Sequence, residues 1–224
     1  MRTEDQHQDE QHERPHVLPG RAAEGAGDVR RREHLDDAEH QAATVTLALE
    51  RFGRLDHLVN NAAVNPQYGP LMEADLSAIR KVFDVNVTAV LAWTQLAWQG
   101  WLGEHGGSVL NVASVGGIRA GSPIGAYNAS KAALIHLTRQ LGVELGPKVR
   151  VNAVAPAVVK TKFARALYED REDEVAAAYP LKRLGVPEDI GKAGAFLLSD
   201  AADAAEALVV DGLAAAQARF HAPG

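Results

Sequence analysis

The pattern of hydrophobic and polar positions changes near residue 40, and from there the chain alternates between helical and strand spacing. Ala43, Leu47, Leu49 and Phe52 recur at helical spacing within 35–52, and Gly53 provides a C-terminal stop. LDHLVN at 55–60 reads as a short strand ending in polar residues. Ile79, Phe83, Val87, Val90, Leu91 and Thr94 recur at three and four along a long helix predicted over 76–104. SVLNV at 108–112 is a buried-strand pattern between Gly106-Gly107 and a Ser/Gly run. A helix is predicted over 126–145, ended by Gly146-Pro147, and VRVNAV at 149–154 is a third strand, ended by Pro156. Residues 157–185 are mixed and charged, a long loop with short helical pieces. Residues 187–198 form a helix with Pro in its first turn, and 208–210 form a last short strand. Strands separated by helices imply an α/β fold, a doubly wound parallel sheet with helices on both faces. Ligands of such sheets bind at the carboxyl ends of the strands.

Upstream the texture is different. Residues 1–40 carry 11 acids and 6 bases, 5 of the 9 His and no aromatic residue, and account for -5 of the net -6. Such a stretch buries too little apolar surface to offset its ordering entropy, so residues 1–34 are expected to be disordered or irregular, and 35–224 a single domain. The spacing of the five His fits no helical ligand pair on a plausible ordered element, so no metal site is expected. The absence of Cys excludes disulfides and thiolate chemistry. The acidic balance and 5% aromatic content argue against nucleic acid as a partner. No apolar run approaches a membrane span and the N-terminus lacks an apolar signal core, so the expected location is cytoplasmic.

Polar residues interrupt the pattern where strands end: Asn60-Asn61-Ala62-Ala63 after the first, Ser114 with Gly116-Gly117 after the second, Pro156 and Thr161 after the third. Asn86 lies inside the long helix. Tyr127 and Lys131, four apart, share one helix face. An ammonium beside a phenol favours the phenolate and makes the Tyr a usable acid or base near neutral pH. A hydroxyl such as that of Ser114 can hold a substrate oxygen beside it.

These residues in this order resemble the short-chain dehydrogenase/reductase family. LDHLVNNAA, DVNVTAV, GGSVLNVAS, YNASKAAL, VRVNAVAPAVVKT, RLGVPEDIGKAGAFLLSD and LVVDG all look like that family's segments, from about Leu47 to Gly212. The resemblance implies a Rossmann-like fold and hydride transfer between NAD or NADP and a carbonyl/alcohol substrate. It implies that Tyr127 is the acid/base and that Lys131 depresses its pKa and binds the nicotinamide ribose. Ser114 would bind the substrate oxygen, and Asn86 would hold a water that relays protons from Lys131. Asn60 and Ala62 would line the cofactor and stabilise the sheet. Pro156, Val159 and Thr161 would contact the nicotinamide amide and phosphates. A homodimer or homotetramer is implied as well. Plainer roles stay open: a strand-end turn for Asn60, a carbonyl-bonding helix residue for Asn86, a cap for Ser114, a loop position for Thr161.

The N-terminal part departs from the family. The family's Gly-rich phosphate turn follows its first strand; here Gly20, Gly25 and Gly27 are spaced one residue too long, after HERPHVLP, which is no core strand. The first strands are therefore expected to be incomplete, and the chain reaches Asn60 about 30 residues sooner than is usual in the family. Arg30–Arg32 is not expected to be an NADP phosphate site. This leaves a second expectation: a catalytically impaired relative without the Gly-rich loop, surviving as an oligomerisation or binding module or as the product of a damaged gene. Ala63 and Ala157 stand where the family usually has Gly, and would strain the chain if a positive φ were required.

Overall fold

The structure, a computed structural model, describes residues 35–121, 123–199 and 202, all within the compact unit Glu33–Gly224. The expectations for residues 1–34 and for a strand at 208–210 lie outside the described residues. Helix α1 (Ala38–Phe52) begins where the Asp37 carboxylate accepts from the His40 N–H at 2.9 Å. It ends at Gly53, whose φ of 69° lets its N–H return to the Leu49 carbonyl.

Strands β1 (His57–Asn60), β2 (Gly107–Val112) and β3 (Val149–Val154) form a parallel sheet in that order among the described residues. The register aligns His57, Ser108 and Arg150 in one row and Asn60, Asn111 and Ala153 in another. Between β1 and β2 the chain is helical from Leu76 to His105, but not uniformly α. Helices α2 (Leu76–Phe83), α3 (Ala89–Ala97) and α4 (Gly103–His105) are joined by π turns at Asp84–Thr88 and Trp98–Leu102. Helix α5 (Gly125–Leu145) precedes β3, and α6 (Glu172–Ala177) and α7 (Pro187–Leu198) follow it.

The pleat distributes β2 between two helical layers. Asn111 meets Thr138 of α5 on one face. On the other face Ser108 Oγ donates to Leu198 O, and Leu110 packs so close to Gly194 of α7 that a Cβ there would lie 2.9 Å from its Cδ2. Arg150 closes the carboxyl end of α7, donating to the carbonyls of Leu197, Leu198 and Ser199 at 2.6, 3.2 and 3.1 Å. Val109 and Val149 form a core cluster with Ala97 and Leu102, flanked by Trp98 and Trp101. Trp93 is tied elsewhere: its indole N–H donates to Leu35 O at 3.2 Å. No helix of the described residues is long and apolar enough to cross a membrane.

A buried polar chain crosses the α3/α5 face. Asn60 Nδ2 donates to Asn111 Oδ1 at 2.9 Å and reaches Thr94 Oγ1 at 3.5 Å, while Asn111 Nδ2 donates to Thr138 Oγ1 at 2.9 Å. Both threonines return their hydroxyl hydrogens to their own helices, at Val90 O and Leu134 O. Asn111 is fully buried, so Asn111→Ala opens a cavity and strands the Asn60 amide. We expect a loss on the order of 3 kcal/mol of unfolding free energy in urea titration. A loss below about 1 kcal/mol would mean that the chain adds little beyond its space filling.

Candidate active site

The sheet brings three of the sequence-predicted groups to its carboxyl end. Ser114 follows β2 and caps the 3-10 turn Val115–Gly117, its Oγ accepting from Gly116 N at 3.1 Å. That turn lies directly on α5. A Cβ at Gly116 would sit 2.0 Å from Asn128 Oδ1, and one at Gly117 would sit 2.6 Å from the Lys131 carbonyl carbon. Glycine is required at both positions by this approach and not by a positive φ. The turn is tied to the end of β3 through Val115 N–H to Pro156 O at 2.9 Å.

Tyr127 and Lys131 come from the first turns of α5. Ser114 lies close enough to the Tyr127 phenol to lower its pKa, but burial is the larger effect and pushes the phenol above its ordinary value. Lys131 is 2% exposed. Its Nζ donates to Val112 O at 2.7 Å and lies 5.6 Å from the Tyr127 ring centroid. Burial lowers its pKa from 10.5 to about 8. Desolvation is the larger effect at both groups, and the ammonium is turned to a backbone carbonyl.

Asn86 sits fully buried in the first π turn. Its Oδ1 accepts from Val64 N at 2.9 Å, and its Nδ2 donates to Val64 O and to Ser130 Oγ, both at 3.0 Å. Both amide hydrogens are therefore committed to protein atoms. Asn60 turns its side chain into the sheet, leaving Asn61 and Ala62, both exposed, at the open end of β1. Thr161 follows β3 and accepts from Ala164 N at 3.3 Å. Val159 pairs with Gly185, with Lys160 N to Gly185 O at 2.9 Å and Gly185 N to Val158 O at 3.1 Å. That pairing closes the base of an excursion over 161–184, the long loop expected from sequence. Neither Ala63 nor Ala157 has a positive φ, so the two substitutions for Gly cost no backbone strain here.

Two residues of the site were not among the sequence candidates. Phe163, on the excursion, places its ring 5.9 Å from that of Tyr127. Ser130, fully buried, donates to Tyr127 O at 2.7 Å. The position of Ser130, three residues after Tyr127 and just before Lys131, was the available signal. No group of His, Asp and Glu able to hold a metal occurs among the described residues.

A hydroxyl pair, an ammonium and the open ends of three parallel strands fit the nicotinamide and ribose end of a dinucleotide, and the buried acceptor Asn65 Oδ1, without a protein partner, lies in the loop that follows β1. A Gly-rich phosphate turn is not among the described residues.

A parallel α/β sheet with Ser, Tyr and Lys at its carboxyl end defines a class of nucleotide-dependent oxidoreductases. The chain belongs to the short-chain dehydrogenase/reductase family. A family model described as enoyl-(acyl carrier protein) reductase matches residues 8–212. The match begins well upstream of Leu47 and takes in most of the polar N-terminal segment. The mouse (Mus musculus) protein named dehydrogenase/reductase SDR family member 4 is 41% identical over 170 residues, covering 75% of this chain. The chain spans 61% of that relative's length. Among solved structures, a glucose/ribitol dehydrogenase of the family from Brucella melitensis superposes with a TM-score of 0.70 at 34% identity, covering 75% of this chain and 67% of the other. ElxO with NADP bound gives 0.68 at 29%, covering 74% and 68%.

Proposed function

We propose that this chain interconverts a carbonyl compound and an alcohol with NAD or NADP as hydride partner, and that it works in the cytoplasm as a homodimer or homotetramer. The observation that carries the reaction is the convergence of Ser114, Tyr127 and Lys131 at one end of the sheet, with Ser114 beside the phenol and the ammonium 5.6 Å from its ring centroid. The assembly and location follow from the family resemblance alone. In the reducing direction Tyr127 gives its phenolic proton to the carbonyl oxygen while the Ser114 hydroxyl donates to the same oxygen. The nicotinamide cofactor supplies the hydride when bound. Lys131, charged below about pH 8, stabilises the phenolate left behind. Lys131, Ala62, Pro156, Val159 and Thr161 hold the cofactor, and Asn86 fixes the loop beside it. Phe163 forms an apolar wall next to the reacting carbon, which favours substrates with an apolar or aromatic substituent on the carbonyl.

Titration of the purified chain with NADH and NADPH, followed by nicotinamide fluorescence, tests this reading. Saturation at roughly micromolar levels is expected. No binding up to about millimolar cofactor, from protein shown to be folded, overturns it and favours the second reading, an impaired relative that survives as a binding module.

A further inference from the structure

The hydrogen bonds of Asn86 and Ser130 form one continuous path. It starts at both backbone groups of Val64, in the loop after β1. It passes through the Asn86 amide to Ser130 Oγ, and ends at the carbonyl of Tyr127. Each hydrogen has a single destination: Asn86 uses both amide hydrogens, and Ser130 accepts one of them and donates its own. Asn86 and Ser130 are both fully excluded from solvent, so water cannot replace either bond without a rearrangement of the packing.

The two ends of the path matter separately. Val64 follows the exposed Ala62 and half-buried Ala63, in the loop after β1 where the cofactor is proposed to lie. Tyr127 carries the reacting proton. A π turn places Asn86 at this junction, where a regular α turn would rotate the side chain to another face. The loop has a second anchorage further on, where Gly69 N–H donates to Pro123 O at 2.8 Å just before α5. The loop and the first turn of the catalytic helix are therefore held as one unit from two sides.

We infer that Ser130 is a positioning residue: its hydroxyl joins the loop that receives the cofactor to the first turn of α5 and so sets where the Tyr127 phenol stands. This inference rests on the oxidoreductase reading for its functional half, but the mechanical half stands without it. The bond from Ser130 holds the Tyr127 carbonyl, and the phenol beside Ser114 is carried on that backbone. If the first turn drifts, the phenol loses the Ser114 neighbour that lowers its pKa, and it titrates higher. A group that served stability alone would change the unfolding midpoint and leave the titration where it was.

Three proteins decide it: the unmodified chain, Ser130→Ala, and Ser130→Thr, which keeps a hydroxyl able to bond a carbonyl one turn back. The first measurement is amide hydrogen exchange, which needs no turnover. Ser130→Ala is expected to speed exchange at Val64 by about tenfold relative to the β2 amides, because the Asn86 amide that accepts from Val64 loses its anchor. Ser130→Thr is expected to restore most of the protection. The second is the pH profile of alcohol oxidation at saturating cofactor. Ser130→Ala is expected to lower kcat by about tenfold or more, with the acid limb moved to higher pH and the cofactor KM changed less than about threefold. Wild-type exchange at Val64 in a folded Ser130→Ala protein overturns the bridge. An unmoved pH limb with full kcat overturns the positioning role. A complete lack of turnover in the unmodified chain counts against the oxidoreductase reading, and with it the positioning role, while the exchange result still decides the bridge.

Discussion

Tyr127→Phe is expected to lower carbonyl turnover by about 10³-fold while the protein stays folded and keeps its cofactor affinity. The substitution removes one oxygen and its proton. The ring stays, and with it the packing against Phe163 and the contact with Lys131. The hydroxyl is largely buried beside Ser114, and its loss strands little: the Ser114 Oγ still accepts from Gly116 N and keeps the 3-10 turn. The stability change should therefore stay near 1 kcal/mol, the ordinary net value of one neutral hydrogen bond. Turnover is another matter, because Tyr127 is the titratable group found beside Ser114 among the described residues. Lys131 commits its ammonium to Val112 O at 2.7 Å. The comparison is kcat at saturating NADPH for the two proteins, with fluorescence titration to show equal binding. Retention of more than about a tenth of the activity would remove Tyr127 from the proton-transfer role.

Much of this site was legible before any coordinates, for reasons that differ residue by residue. Tyr127 and Lys131 announced themselves through i,i+4 spacing, which a helix converts directly into a shared face. Strand β3 and helix α7 fall where their patterns end, because Pro156 and Pro187 mark the boundaries in the sequence itself. The two π turns were not legible. An inserted residue shifts the helical phase by one position, and a window of Ile79, Phe83, Val87 and Val90 tolerates that shift without a visible break. The Asn60–Asn111 pair was hidden for a different reason. Each Asn looked like a polar strand residue, and only the inter-strand register makes them partners. The plainer roles are present in the structure and leave room for the proposed chemical ones: Ser114 caps a 3-10 turn, and Asn86 bonds the Val64 carbonyl. The electrostatics were the least legible of all. Sequence spacing sets the distance between Tyr127 and Lys131 but says nothing of how deeply each is buried, and burial is what moves both groups.

Lys131→Met is expected to make the protein more stable near neutral pH and nearly inactive. The lysine has a native pKa of about 8 against an ordinary 10.5, because its surroundings disfavour the charge. Below about pH 8 the group is charged in both states, and the native state bears the full penalty. Between about 8 and 10.5 the native protein has released the proton and the unfolded chain still holds it, so stability rises with pH through that window. The integrated shift corresponds to something on the order of 3 kcal/mol at neutral pH. Methionine has a similar shape and no charge, but it gives up the bond to Val112 O, which costs about 1 kcal/mol or more and leaves that carbonyl short of a donor. The net expectation is a gain of about 1–2 kcal/mol at pH 7, shrinking towards zero or reversing near pH 10. Activity moves the other way, since the phenolate formed at Tyr127 loses the only buried cation beside it among the described residues, and a fall of about 10²-fold or more in kcat is expected. A site that is destabilised in order to work behaves in this manner, and the stability lost is recovered when the function is removed. Urea unfolding of both proteins at pH 7 and pH 9.5 measures the effect directly. Parallel stability curves, or a methionine variant that is weaker at pH 7, would mean that Lys131 is charged in the native state at little cost and that its role in the site needs no such strain.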